Sequence, residues 1–183
     1  ARLPAALESA VQRVRMAART AAERTVDSLG LAALSSNNVF HRDGLLGAQY
    51  ELNRKLAIFA LTFNETLDQR VAREAGMLES GGASPTNWDA LSLVDDREVE
   101  IQVSADRFAL EISHACEWEI RELDAYMGTL LNLGRADHER NPLRAEVVGQ
   151  AMIRAVEAVA ERPETRKVLG AEIGRSLAHA MRQ

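Results

Sequence analysis

Apolar side chains in this 183-residue chain recur at steps of three and four residues almost from end to end, and nowhere alternate with polar ones over a useful length. That spacing returns to one side of an α-helix and to no fixed side of a strand, so the chain is restricted to helices that bury one stripe each. Alanine is abundant, aromatics are only 4%, and glycine and proline number 11 and 4, a balance that favours helix because little side-chain freedom is lost there. The expected fold is all-α: an up-and-down bundle of about five helices dominated by two long central ones, forming a single domain over residues 1–183.

Leu7, Val11, Val14, Ala18 and Ala21 define the first stripe, in a helix opened by Pro4 and expected to fray or stop near Gly30 and the Ser35-Ser36-Asn37-Asn38 run. The strongest apolar stretch runs from about Asp43 to Ala75. Leu45, Leu52, Leu56, Phe59, Phe63, Leu67 and Val71 lie on one face, and Leu46, Tyr50, Ala57 and Leu61 widen it, as expected of one central helix. A flexible loop is expected over residues 79–90, rich in glycine and serine, with Trp88 pinning it to the bundle. Asp95 or Asp96 then caps a long helix whose stripe is Ala105, Ala109, Ile112, Cys116, Ile120, Leu123, Met127 and Leu130. Asn141-Pro142 is read as cap and first turn of a helix with Val148, Ala151, Ala155 and Val159 on its face. Pro163 opens the last, with Leu169, Ile173, Leu177 and Ala180.

The formal charge of −5 argues against nucleic acid as the main partner, since phosphate-binding domains carry a basic excess. No apolar run approaches the roughly 18 residues of a membrane span, and the lone Cys116 permits no internal disulfide; a cytoplasmic protein is the expectation. Both ends break off within or beside helical patterning, so the chain is expected to be a segment of a longer protein.

Few residues suggest chemistry. Glu111-Ile112-Ser113-His114 has the Glu-x-x-His spacing of di-iron bundles, but no second copy occurs, so no metal, cofactor or catalytic residue is assigned. Trp118 falls near His114 on the side away from the stripe, with Val99, Val103 and Leu110 toward the same side. Packing against another helix is the expectation for it. Left exposed, Glu111, His114 and Trp118 would instead form a partner surface. Cys116 is read as a small buried hydrophobe. Arg15 with Arg19 and Arg162 with Arg166 have the spacing of arginine pairs that grip cyclic dinucleotides, without the companion motif of the module that uses them.

Residues 91–100, Leu-Ser-Leu-Val-Asp-Asp-Arg-Glu-Val-Glu, and 141–146, Asn-Pro-Leu-Arg-Ala-Glu, resemble signatures of a bacterial family of large helical cytoplasmic proteins known only as a domain of unknown function. Its members are sometimes labelled thymidine phosphorylase. The resemblance implies a helical segment of a much longer protein and carries over no catalytic residue, and neither a phosphate-binding glycine loop nor an α/β core is readable here. Sequence alone therefore favours a non-enzymatic module for protein interaction or self-association, including a homodimer. A regulatory domain for a small ligand such as a cyclic dinucleotide is the alternative.

Overall fold

The computed structural model describes residues 4–79, 96–115, 117–130 and 141–181, and these form seven helices and no strand. They are α1 (Ala5–Ser35), α2 (Val39–Arg54), α3 (Leu56–Glu79), α4 (Asp96–Ala115), α5 (Glu117–Leu130), α6 (Ala145–Val159) and α7 (Pro163–Met181). The all-α expectation holds. The count exceeds five because the apolar stretch expected over 43–75 is divided at Lys55, and because α4 and α5 are described on either side of position 116, which lies outside the described residues.

Two helices act as hubs. α3, α4 and α7 pack around α6, while α2, α3 and α7 pack around α1. α6 buries ten of its fifteen residues, more of its length than any other described helix, and leaves one polar side that carries Glu146, Gln150, Arg154 and Glu157. Its small residues allow that: a Cβ added at Gly149 would lie 2.8 Å from the Ala105 carbonyl oxygen and 3.3 Å from the Ala109 nitrogen, so the α4 backbone rests directly on α6. On the same helix α4, Phe108 reaches over Gly170 of α7, where a Cβ would meet its ring at 2.7 Å. α3 closes the other side with Phe59, Phe63, Leu67 and Val71, all fully buried, the two rings stacked at 6.3 Å.

Several boundaries differ from those expected. α1 does not stop at Gly30. It continues to Ser35, because Leu29 and Ala33 are buried on either side of the glycine and Gln49 of α2 lies across it, its Nε2 donating to the Val26 carbonyl at 2.9 Å. A Cβ at Gly30 would fall 2.6 Å from that nitrogen. α2 starts at Val39, four residues ahead of the expected position, with the Asn38 side chain accepting from the His41 amide at 3.2 Å. The expected continuous helix over 43–75 breaks at Lys55 (φ −115°, ψ 24°), whose ammonium donates to the Val159 carbonyl at the end of α6 at 3.1 Å. The widened face is also not buried: Leu46, Tyr50 and Leu61 are exposed, as is Ala57, among the described residues. Only the Leu45–Val71 stripe faces the core.

Asn141-Pro142 does not start a helix. α6 begins at Ala145, and the four residues before it make a turn in which the Arg144 amide donates to the Asn141 carbonyl at 3.2 Å. Pro163 opens α7 as expected. The loop expected over 79–90, with Trp88, falls past Glu79 outside the described residues, as do Asp95 and Cys116.

Because an added methyl at Gly149 meets backbone, which cannot rotate away, Gly149→Ala should destabilise the fold by about 1–3 kcal/mol in urea unfolding despite alanine's better helix propensity. The control is Gly47→Ala, where nothing lies within 4 Å. That change should stabilise by about 0.5–1 kcal/mol.

Candidate functional site

The polar groups around α6 fall into two clusters, one at each end of its contact with the neighbouring helices. At the start, the Asn141 side chain is fully buried, donates to Asp124 of α5 at 2.6 Å and accepts from the Leu143 amide at 3.0 Å. The second of these bonds folds the chain over residues 141–143 in the manner of an Asx turn, which is what keeps Asn141 out of the helix. Arg144 then extends to α3 and grips Glu74 through both guanidinium nitrogens, at 3.2 and 3.1 Å, with the two side chains 21% and 18% exposed. A two-pronged guanidinium–carboxylate pair fixes orientation as well as distance. Farther along, Arg154 of α6 contacts Glu98 of α4 at 2.6 Å, and Glu157 lies 3.6 Å from both Arg97 and Arg154. Gln150 donates to Gln102 at 2.9 Å.

These clusters pin α3, α4 and α5 onto α6. Sequence reasoning missed them, although its two signature stretches supply several of the partners: Arg97 and Glu98 from one, Asn141 and Arg144 from the other. Arg70, on α3 one turn before Glu74, is different. Desolvation, then the nearby Arg73 charge, lower its pKa, with Glu74 pulling the other way, and it forms no ion pair with a described residue.

The residues singled out from sequence sit on the opposite side of α4 and on α5. His114, in the last turn of α4, is exposed, and Trp118, in the first turn of α5, is 67% exposed. The expected packing of Trp118 against another helix is therefore not found among the described residues. Glu111 lies in α4, with its side chain outside what the structure describes. Val99, Val103 and Leu110 remain 47%, 56% and 58% exposed, so the side of α4 turned from α6 carries an apolar line. Ile101, Ala105, Phe108, Ala109 and Ile112 occupy its buried side. On α5, Ile120 is half-buried against the core and Asp124 is buried, which leaves Trp118, Arg121 and Glu122 outward.

The arginine pairs do not form open clamps. Arg15 is bonded to Asp68 of α3, Arg19 to Glu23 at 3.2 Å, and Arg166 to the Ala160 carbonyl at 2.7 Å; Arg162 is exposed. Arg19 and Glu23 border an open groove of about 520 Å³ between α1 and α3, floored by Phe59 and edged by Leu61 and Asn64. No group of three or more His, Cys, Asp or Glu among the described residues is placed to hold a metal ion, and none of the described helices is long and apolar enough to cross a membrane.

The stretch from residue 2 to 183 matches the family model described as protein of unknown function (DUF1631) N-terminal domain. The chain belongs to the DUF1631 family. The resemblance first read from residues 91–100 and 141–146 to a domain of unknown function thus covers nearly the whole chain. No curated protein and no solved structure matches it.

Removing Arg144 from this DUF1631 domain would strand Glu74 in a largely buried setting, so Arg144→Ala should cost about 3 kcal/mol. Arg144→Lys should recover only part of that, because an ammonium cannot make the paired contact. Chemical denaturation of the three proteins checks both statements. Arg70 should behave oppositely: a base whose pKa falls on folding carries its charge less readily in the fold than unfolded, at every pH below the lowered value. Neutralising it with Arg70→Gln should leave stability within about 0.5 kcal/mol of wild type, or above it.

Proposed function

We propose that this domain is a non-enzymatic helical module that docks a protein partner, as part of a larger bacterial cytoplasmic protein. The observation that supports this reading is the line Val99, Val103, Leu110 and Trp118, each about half or more exposed on α4 and α5. Single exposed apolar residues are ordinary on any protein surface. Here three of them recur at helical spacing on one side of one helix, with a tryptophan eight residues on. Aligned apolar side chains that end in a tryptophan match the composition of interface anchors, because truncating such a residue costs more binding energy than almost any other change. The opposite side of α4 is committed to α6, so the outward side is free to carry contacts without loss of the fold.

The test is a double variant, Val103→Asp with Leu110→Asp, compared with wild type in affinity purification from the source cells. We expect defined proteins to be recovered with the wild type and lost with the variant, while circular dichroism and the melting temperature stay close to unchanged, as befits exposed positions. Recovery of the same proteins with both would remove the reading.

A further inference from the structure

The charges around the apolar line are strongly one-sided. Residues 96–130 hold nine aspartates or glutamates against three arginines, a formal −6, whereas the whole chain sums to −5, so the remainder is close to neutral. Several of these charges are already met inside the molecule: Arg97 near Glu157, Glu98 by Arg154, Glu117 by Arg121 at 2.6 Å, and Asp124, which is buried on the core side against Asn141. Asp96, Glu100, Asp106 and Glu122 are exposed and form no ion pair with a described residue, and Arg107 is the exposed cation on α4 likewise unpaired. On a helical wheel Asp96, Glu100 and Arg107 flank the Val99–Leu110 line on one edge and Asp106 on the other, at about 100° per residue.

We infer that the outer face of α4 and α5 takes a basic amphipathic helix of a protein partner, its apolar stripe on Val99, Val103, Leu110 and Trp118 and its lysines or arginines on Glu100, Asp106 and Glu122. This rests on the reading of the domain as an interaction module and names the chemistry of what it binds. Three occupants compete for an exposed apolar line, and charge separates them. A second copy docking through the same face would set one acidic rim against another, which is repulsive in an isologous contact. An anionic lipid surface would be repelled in the same way. A cationic helix gains from both the stripe and the rim, and from α4 Val99 to Leu110 the line is about 16 Å long, roughly three helical turns, enough to register on one partner helix.

The experiment follows Trp118 emission in a Trp88→Phe background of the full chain. It is titrated with a synthetic leucine–lysine amphipathic helix, with its leucine–glutamate counterpart, and with phosphatidylserine vesicles, alongside sedimentation equilibrium of the protein alone. The expected result is a blue shift with the lysine peptide only, an affinity that falls as salt rises, and a loss of about tenfold or more with Leu110→Asp or with the pair Glu100→Lys and Glu122→Lys. Equal binding of the glutamate peptide, binding of neither, a shift with vesicles alone, or a dimer that buries Trp118 would each overturn the inference. The broader reading stands apart from it: if the Val103→Asp, Leu110→Asp variant still loses natural partners while the lysine peptide fails, only the partner chemistry is wrong.

Discussion

Enclosure of α6 by α3, α4 and α7 is the constraint from which the rest of this structure follows. A helix enclosed by three others needs small residues where backbones meet and a partner for each polar group at its ends. Gly149 supplies the first against α4. The second comes from the turn before it and from Lys55: the ammonium of a residue that itself leaves helical geometry takes the Val159 carbonyl, which otherwise would be one of the unpaired acceptors at the helix end. The break between α2 and α3 is thus tied to the termination of a helix about a hundred residues farther along the chain.

Periodicity made the helices and their buried faces legible. The Leu45–Val71 stripe, Ala105, Ala109 and Ile112, and the faces of α6 and α7 all lie in the core, apart from a half-buried Leu56 and Ala180. Helix ends were less legible wherever a tertiary contact decided them. Asn53-Arg54-Lys55 contains no glycine or proline, so nothing local announces the break, and Gly30 reads as a stop although the packing of Gln49 carries the helix through it. Asn141-Pro142 has the composition of a helix start, but the asparagine's side chain is taken by Asp124 and by its own turn. Spacing also could not say how wide a buried face is. Leu46, Tyr50 and Leu61 extend the stripe on a helical wheel, yet remain at the surface.

The candidate site shows the same division. That His114 and Trp118 point away from the Ala105–Ile112 stripe was readable from helical geometry alone. Whether another helix covers them depends on the arrangement of the bundle, which spacing does not encode. The motifs that carry the DUF1631 likeness, by contrast, supply residues of the ion pairs and the buried turn that attach α4 and α3 to α6. Among the described residues of the first motif, Arg97 and Glu98 hold α4 to α6 while Val99 and Glu100 face outward, so one short stretch serves both the architecture and the exposed side.

The direct seating of α4 on Gly149 and the placement of Phe108 over Gly170 have a consequence for recognition. With its inward side in contact with one helix's backbone and its phenyl ring over a second helix, α4 has little freedom to slide or rotate, and its outward side is a stiff rail. A ligand meeting such a rail does not have to order it first, so more of the contact energy is retained as affinity. Rigidity built by two glycines at the centre of the molecule is in this way exported to its surface.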